Sequence, residues 1–380
     1  MPSERLQITY LLTCADGEDA RAKARDIALE QTVELPPGSF STEIEERIVG
    51  RVEALVELEP PRWRAVLSYD VGVVGDDIPQ LLNLVFGNIS LKAGIRVTEI
   101  ELPASLLAHF PGPRFGIEGL REICGPKGGK RRPLVCGALK PLGLSAEQLA
   151  EVCHQFALGG IDIVKDDHGL ANQRTAPFRE RVKRCQEAVA KANRTTGGNT
   201  VYFPNLMGSA SGIGKRLEFV SAAACRGVLL SPLLMGLDTV RWVAETSELA
   251  ILAHPSLAGA FFHPGHGIAP EVMLGQIFRV IGSDGVIYPN VGARFAFAES
   301  TCDAINANLR KPLASLRPSF PVPGGGIDAA DVPRWIDRYG VDTMFLIGSS
   351  FYAQSDVAGA VRRLLDAIRR HCDEGSLEGR

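Results

Sequence analysis

The feature that most constrains the fold is a regular alternation, from Leu134 onward, of short β-branched runs with segments of helical length. This alternation is typical of a parallel sheet in which each strand is followed by a helix. Eight strand–helix units predict an α/β fold built on a (β/α)8 TIM barrel, whereas an open doubly wound sheet would need fewer strands. The eight runs are Leu134–Leu139, Ile161–Val164, Val201–Pro204, Gly227–Leu230, Leu249–Ala253, Gly285–Tyr288, Phe320–Val322 and Thr343–Ile347.

The first 115 residues follow a different pattern, in which strands and helices are ordered β-α-β-β-α-β. This order predicts a ferredoxin-like α+β domain at residues 1–115. A link rich in proline and glycine, Phe110 to Gly116, then leads into the barrel with the active site at residues 116–380. The predicted elements are strands at Ile8–Leu12, Arg47–Leu58, Trp63–Tyr69 and Gly94–Leu102, with helices at Asp19–Leu29 and Ile78–Phe86.

Composition limits the classes of partner and the compartment. A net charge of −3 argues against nucleic acid or an anionic membrane as the main partner. The eight cysteines are scattered without a Cys-x-x-Cys pair, which favours reduced thiols over disulfides. No apolar stretch is long enough for a transmembrane helix, and the first residues lack the pattern of a signal peptide. We therefore expect a soluble cytoplasmic protein.

The second barrel run leads directly into polar residues. Ile161–Val164 is followed by Lys165, Asp166, Asp167 and His168. Side chains alternate along a strand, so Lys165 and Asp167 should project together while Asp166 points away. Active sites of such barrels lie at the carboxyl ends of the strands. A lysine and a carboxylate would form a site for a hard cation if CO2 converted the neutral amine into a carbamate; without that step they would form a buried salt bridge.

Residues 159–168 closely resemble the metal-binding strand of the ribulose-bisphosphate carboxylase (RuBisCO) superfamily, Gly-Gly-Leu-Asp-Phe-Thr-Lys-Asp-Asp-Glu, and the two-domain layout is similar to that of the carboxylase large subunit. The resemblance implies that a carboxylated Lys165 binds Mg2+, or another divalent metal, together with Asp167. His168 replaces the glutamate that is the third ligand in the family. It either ligates a softer metal or serves as an acid–base or substrate-binding group.

The resemblance also assigns roles at other strand ends. Lys140, in Lys-Pro-Leu-Gly-Leu-Ser, matches a lysine that handles protons at the enolised carbon. His254 matches a histidine beside the substrate, and Asn205 matches an asparagine near the site. His263 and His266 lie in the next loop and are weaker candidates for the site.

Two glycine-rich segments predict a phosphate site. Pro323-Gly324-Gly325-Gly326 follows the seventh run and precedes a predicted helix, and Gly348-Ser349-Ser350 follows the eighth. Glycine allows backbone N–H groups to approach an anion, and barrel loops 7 and 8 commonly bind phosphate. We therefore expect Gly325, Gly326, Gly348 and Ser349 to bind the phosphate of a small-molecule substrate.

Residues before the barrel complete the expected site. Gly87-Asn88 matches a Gly-Asn pair of the family, and Glu30, or less securely Glu34, matches an essential glutamate. In the family these residues reach into the barrel of the neighbouring subunit. The resemblance therefore implies a homodimer, or a higher oligomer of dimers, with composite active sites that include catalytic Glu30 and Asn88.

Four departures from the carboxylase pattern argue against CO2 fixation. The segment 289–295 lacks the lysine that orients CO2, a second lysine is missing after Lys140, His168 replaces a glutamate, and Pro255 replaces a phosphate-binding arginine. The chain thus resembles the RuBisCO-like proteins (form IV type), which retain enolate chemistry.

Three functions are compatible with this resemblance. Our main expectation is a metal-dependent lyase that decarboxylates, or cleaves at a C–C bond, a phosphorylated 3-oxo sugar acid in carbohydrate catabolism. The alternative is a methionine-salvage enolase or isomerase acting on a methylthio-pentulose phosphate. A non-catalytic sugar-phosphate binder is the second alternative.

Overall fold

The computed structural model describes residues 4–125, 131–295 and 297–374 of the 380-residue chain and contains two sheets. The strands of the first sheet are β1 (Arg5–Thr13), β2 (Arg51–Glu59), β3 (Arg62–Asp70), β4 (Ile95–Glu101) and β10 (Gly267–Ile268). Those of the second are β5 (Leu134–Leu139), β6 (Ile163–Asp166), β7 (Val201–Phe203), β8 (Gly227–Leu230), β9 (Ala250–Ala253), β11 (Gly285–Pro289), β12 (Phe320–Gly324) and β13 (Met344–Ile347).

Helices connect these strands. They are α1 (Ala20–Glu30), α2 (Thr42–Arg47), α3 (Ile78–Phe86), α4 (Ala104–Leu107), α5 (Gly116–Cys124), α6 (Ala146–Leu158), α7 (Phe178–Thr196), α8 (Ala210–Ala222), α9 (Pro232–Met235), α10 (Leu237–Thr246), α11 (Pro270–Val272), α12 (Phe278–Val280), α13 (Glu299–Arg310), α14 (Val332–Tyr339), α15 (Ser349–Tyr352) and α16 (Val357–Glu374). A π-helical turn, Met273–Ile277, joins α11 to α12, and short 3-10 turns lie at Val71–Val73, Asn88–Leu91 and Ala258–Phe261.

The first sheet has the antiparallel order β4-β1-β3-β2, with α1 and α3 as its main crossover helices. This is the ferredoxin-like arrangement predicted from the sequence. The two-residue strand β10, from the loop after β9, pairs in parallel with β4 at Gly267 and Arg96. The N-terminal sheet and the barrel are therefore joined by backbone hydrogen bonds as well as by the chain.

The second sheet is parallel, in the order β7-β6-β5-β13-β12-β11-β9-β8. A parallel bridge between Asn205 and Leu229 brings its two ends together, so that the sheet is a nearly closed barrel. The predicted fold class, a TIM barrel preceded by a ferredoxin-like domain, is thereby confirmed. Apolar side chains from successive strands fill the interior, among them Cys136, Ile163, Phe203, Leu229, Leu252, Ile287 and Val322.

The second barrel strand lies two residues later than predicted, at Ile163–Asp166 rather than Ile161–Val164. Asp162 accounts for the shift, because its carboxylate accepts hydrogen bonds from the Arg132 guanidinium and the backbone N–H of Val135 at the start of the barrel. Lys165 and Asp166 consequently belong to the strand and pair with Ala138 and Leu139 of β5.

Two further predictions of local structure were wrong. Residues 47–58 were expected to form one strand, but Ser41 caps a short helix, α2, which ends at Arg47, and β2 begins only at Arg51. The helix expected after Ile327-Asp328 begins only at Val332, since the Asp328 carboxylate accepts hydrogen bonds from the N–H groups of Ala330 and Asp331 and forms a turn first.

All eight cysteines are free and seven of them are buried, as expected for reduced thiols. Within the described ranges, no helix combines the length and the apolar character that crossing a membrane requires.

Candidate active site

The side chains on the two faces of β6 lie in different surroundings, one face toward the helices and the other toward the barrel interior. Asp166 is fully buried on the helix side of the barrel, where its carboxylate accepts hydrogen bonds from Arg181 of α7 (3.1 Å), Tyr202 of β7 (2.7 Å) and the backbone N–H of Asn205 (2.9 Å). Lys165 points into the barrel, as alternation along a strand predicted. The Asp166 network therefore fixes the strand that carries Lys165 and Asp167.

Lys165 lies next to the apolar interior of the barrel and is only 1 % exposed. Its Nζ donates one hydrogen bond, to the carbonyl oxygen of the neighbouring Asp166 at 3.2 Å. Burial lowers the pKa of Lys165 below its ordinary value, which raises the fraction of neutral amine. A neutral amine is the form that reacts with CO2.

Asp167 is the carboxylate on which the other polar groups of the barrel mouth converge. Its Oδ1 lies 3.2 Å from Lys140 Nζ and 3.4 Å from His168 Nδ1. Burial alone would raise the pKa of Asp167, but the hydrogen bond to His168 and the charges of Lys165 and Lys140 outweigh it, so this pKa lies well below its ordinary value. Asp167 is thus ionised, and its ion-pair partners are Lys140 and His168 rather than Lys165, unlike the simple salt bridge considered above.

His168 and His254 stack face to face, with ring centroids 4.3 Å apart and planes inclined by 10°. The Nδ1 of His254 accepts a hydrogen bond from the backbone N–H of Ser256 and lies 2.8 Å from its hydroxyl. Burial, reinforced by the positive charge of Lys165, lowers the pKa of His254 well below its ordinary value. His254 is therefore neutral, and because Nδ1 is an acceptor its proton resides on Nε2.

Asn205 lies behind this cluster. It is fully buried, and its side-chain amide donates to the carbonyl oxygen of His168 at 2.9 Å. Its side-chain oxygen accepts the N–H of Met207. These contacts hold the backbone at His168, and the expected contact of Asn205 with a substrate stays a prediction.

Loops 7 and 8 lie side by side at the same end of the barrel. Gly324 pairs with Leu346, and the Ser350 hydroxyl lies 3.4 Å from the carbonyl oxygen of Ile327. Gly325 and Gly326 adopt left-handed φ values of +91° and +68°. An added Cβ would lie 2.9 Å from the Ala293 Cβ at Gly325, whereas at Gly326 the nearest atom would be 3.6 Å away. The chain therefore adopts glycine conformations here, and a side chain would be crowded at Gly325 but in ordinary van der Waals contact at Gly326.

The candidates from the N-terminal sheet form a cluster of their own. Asn88 donates to Glu30 at 3.3 Å, and Lys92 bridges Glu30 (3.2 Å) and Asp26 (2.5 Å). Within the described part of the chain, no hydrogen bond or ion pair joins this group to Lys140, Lys165 or Asp167.

His263 and His266 lie in the loop after β9, where they face the N-terminal sheet rather than the residues at the barrel mouth. His266 Nε2 is 3.0 Å from the carbonyl oxygen of Ser90, and its ring packs against Phe86. His263 is exposed, and both histidines line a cavity of about 500 Å³ with residues 90–94. Their contacts connect the barrel loop to the ferredoxin-like sheet.

The side chains at the barrel mouth include potential ligands for a divalent metal. Among the residues that the structure describes, no group of three histidine, cysteine, aspartate or glutamate side chains could hold a metal ion. Asp167 and His168 offer two potential donors, and a carboxylated Lys165 would supply a third. The burial of Lys165, its single hydrogen bond and its lowered pKa fit a carboxylated lysine. The residues therefore fit a metal once this modification is made.

Sequence reasoning missed the residues that hold the site in place. Arg181 and Tyr202 bind Asp166, Ser256 fixes His254, and Tyr352 contacts the backbone at Lys140. Only Arg181 left a signal in the sequence, because it falls on the apolar face of the helix that follows the second strand. The other contacts depend on loop geometry.

A parallel barrel thus carries a lysine, a carboxylate and paired imidazoles at the carboxyl ends of its strands, where the active sites of (β/α)8 barrel enzymes lie. Residues 116–376 match the family model for the catalytic domain of the ribulose bisphosphate carboxylase large chain. The chain belongs to this family, and among its members it is a RuBisCO-like protein.

Relatives of similar length support this assignment. Ribulose bisphosphate carboxylase-like protein 1 of Rhodopseudomonas palustris is 39 % identical over 93 % of this chain and 94 % of its own. The 5-methylthioribulose-1-phosphate isomerase of Rhodospirillum rubrum is 37 % identical over 97 % and 99 %, respectively. The crystal structure of a RuBisCO-like protein from R. palustris has a TM-score of 0.86 at 36 % identity, with coverage of 96 % and 97 %.

Proposed function

We propose that this protein is an isomerase or enolase that moves a proton on a carbon adjacent to the carbonyl group of a phosphorylated methylthio-pentulose. This substrate class is supported by the similarity to an isomerase named for 5-methylthioribulose 1-phosphate, because that similarity extends over nearly the full length of both chains. It favours the alternative above over the decarboxylation that we first expected. Proton transfer also needs no group beyond those at the barrel mouth.

The observation that carries the proposal is the position of Lys140. Its Nζ lies 3.2 Å from the ionised Asp167, while its backbone is held at the end of β5. A lysine in this position can take a proton from the carbon next to a carbonyl and return it to the neighbouring carbon, which isomerises the sugar.

His254 contributes a hydrogen-bond donor. Since its Nδ1 accepts the Ser256 N–H, the neutral ring carries its proton on Nε2, and no described residue accepts a hydrogen bond from that atom. An N–H group held in this way can stabilise the negative charge that develops on the substrate oxygen when the carbon loses its proton. The stack with His168 fixes the plane of the ring.

A carboxylated Lys165, with Asp167 and His168, would hold Mg2+ or another divalent metal. When bound, the metal would polarise the substrate carbonyl and stabilise negative charge on its oxygen. Gly325, Gly326, Gly348 and Ser349 would bind the phosphate through backbone N–H groups and the serine hydroxyl. These contacts would anchor the substrate in loops 7 and 8 and present its carbonyl group to Lys140.

The site would be completed by a second copy of the chain. Glu30 and Asn88 hydrogen-bond to each other but not to the barrel residues of their own subunit. Leu91, three residues after Asn88, is 88 % exposed and would be covered by a partner. A structural relative, a RuBisCO from Hyperthermus butylicus described as dimeric, covers 98 % of this chain at 26 % identity with a TM-score of 0.90.

The test is a 1H and 31P NMR assay in D2O with Mg2+ and bicarbonate. 5-Methylthioribulose 1-phosphate and its 2,3-diketo derivative are offered in parallel with a phosphorylated 3-oxo sugar acid. Isomerisation or deuterium uptake without gas release is expected. Release of CO2 from the 3-oxo acid, with no exchange on the pentulose phosphates, would replace the proposal with decarboxylation. Binding of the sugar phosphates without any turnover would indicate a non-catalytic binder.

A further inference from the structure

Tyr352 bridges two backbone groups at the end of the first barrel strand. Its hydroxyl accepts a hydrogen bond from the N–H of Lys140 at 2.8 Å and donates one to the carbonyl oxygen of Ala138 at 2.9 Å. The two hydrogen bonds use one hydroxyl as both acceptor and donor. They lie on either side of Leu139 and immediately before the Lys140 side chain.

The bridge replaces a missing strand partner. On one side, β5 pairs with β6 as far as Leu139. On the other side, pairing with β13 ends at Gly137, opposite Ile347. The Ala138 carbonyl and the Lys140 N–H follow the last pair, where the polypeptide of β13 has turned away into loop 8. Polar backbone groups at such a site need another partner, and the Tyr352 hydroxyl supplies it.

The tyrosine itself is held firmly. Its ring meets Phe156 of α6 edge-on, with centroids 5.8 Å apart, and the adjacent Phe351 packs on the same ring at 5.6 Å. Burial raises the pKa of Tyr352 above its ordinary value, so the hydroxyl keeps the proton that it donates to Ala138. The bridge is therefore a fixed neutral contact over the physiological pH range.

Tyr352 belongs to the short helix α15, which begins at the loop 8 residues that we expect to bind phosphate. α15 starts at Ser349, directly after Gly348, and ends at Tyr352. We infer that Tyr352 is a positioning residue. It fixes the backbone from which the Lys140 side chain extends into the barrel mouth, and it couples the position of Lys140 to the phosphate bound by loop 8. The inference rests on the proposed function, in which Lys140 transfers the proton. Phosphate binding at Gly348 and Ser349 would order α15 and, through the hydroxyl, the end of β5.

The first test is Tyr352→Phe, which keeps the ring on Phe156 and removes both hydrogen bonds. Because reaction rates depend steeply on the placement of the catalytic group, kcat for the pentulose phosphate should fall about tenfold or more while KM changes less than about twofold. Tyr288→Phe is the matched control, since it also removes a buried tyrosine hydroxyl bond, to Asn306 at 2.6 Å, but touches neither β5 nor loop 8. An unchanged kcat in Tyr352→Phe would overturn the inference.

A second measurement separates positioning from a general loss of stability and does not depend on turnover. Lys140 is acetylated competitively with acetic anhydride, with and without inorganic phosphate, and its labelling rate is read by mass spectrometry. In the wild type, phosphate should change the rate at Lys140. In Tyr352→Phe, phosphate should still bind by 31P NMR, but the rate at Lys140 should no longer respond to it.

The outcomes distinguish this inference from the proposed function. If no pentulose phosphate reacts but phosphate still controls the labelling of Lys140 through Tyr352, the proposed substrate is wrong and the coupling stands. If the wild type turns over its substrate but its Lys140 labelling ignores bound phosphate, or responds equally in Tyr352→Phe, the coupling is wrong.

Discussion

Two lysines approach Asp167 in different surroundings, and the difference assigns them different chemistry. Lys140 is 42 % exposed in its side chain and forms an ion pair with Asp167. Lys165 is almost fully buried and has no carboxylate among its hydrogen-bond partners. In the proposed function the first exchanges a proton with the substrate, whereas burial lowers the pKa of the second. The neutral form of Lys165 would react with CO2 in the proposed metal site.

The substitution Lys165→Met tests this assignment, because it keeps a long apolar stem in the buried position and removes the amine. We expect loss of metal-dependent turnover by more than about a hundredfold with the fold retained. In 13C-bicarbonate NMR, the wild type should show a carbamate signal that the variant lacks. Lys191→Met, at an exposed position of α7, is the control. Wild-type activity in Lys165→Met would disprove a role for the carbamate.

His168 determines which metal the site prefers if its Nδ1, which faces Asp167 Oδ1 at 3.4 Å, becomes a ligand. Imidazole suits Mn2+, Fe2+ or Zn2+ better than Mg2+, which prefers oxygen. His168→Glu should therefore raise the affinity for Mg2+ by about tenfold relative to that for Mn2+, measured calorimetrically in the presence of bicarbonate. His263→Glu, in the loop against the N-terminal sheet, serves as the control. An unchanged ratio of the Mg2+ and Mn2+ affinities would show that His168 is not a metal ligand and would leave it an acid–base or substrate-binding role.

At the scale of elements, sequence patterns predicted the barrel well because each strand is a local feature. The bounds of β5 and β8 agree with prediction, while β6 is shifted because Asp162 is recruited by Arg132 and the N–H of Val135. Such a contact joins residues that are distant in sequence, and periodicity does not report it. The same reason explains why Tyr352, 212 positions from Lys140, was missed.

The residues of the candidate site could be predicted from the sequence where they lie at the ends of predicted strands. Lys140, Lys165, Asp167, His168 and His254 lie together at the barrel mouth, as expected for residues at the carboxyl ends of neighbouring strands. Their partners were not predictable. The hydrogen bond from the Asn205 amide to the His168 carbonyl, for example, joins residues 37 positions apart, and periodicity does not report it.

The expected phosphate site gives a prediction about loop 7. Gly326 has a left-handed φ of +68°, and an added Cβ would lie in ordinary van der Waals contact with its neighbours, the nearest atom being 3.6 Å away. Aspartate and asparagine both tolerate this conformation and have the same shape, so a comparison of Gly326→Asp with Gly326→Asn isolates charge from strain. We expect KM for a phosphorylated substrate to be at least about tenfold higher in the aspartate variant than in the asparagine variant. Equal KM values would place the phosphate elsewhere.

At the scale of the whole molecule, the residues proposed for the site come from both sheets. β10 pairs with β4, and among the described residues no hydrogen bond or ion pair joins Glu30 and Asn88 to Lys140 or Lys165. In the proposed dimer, each N-terminal sheet would complete the barrel of the other subunit, and two composite sites would form for every two chains.

Mixing two inactive variants tests this arrangement directly. Glu30→Gln and Lys165→Met alter opposite halves of the site, so a mixed dimer contains one doubly altered site and one intact site. After unfolding and refolding together in equal amounts, half of the dimers are mixed, and about a quarter of wild-type activity should return. Lys140→Ala with Lys165→Met is the control, since both changes lie in the barrel and no mixed dimer has an intact site. No activity in the test mixture would show that each chain builds its site alone, whereas activity in the control would show that Lys140 and Lys165 do not act in the same site.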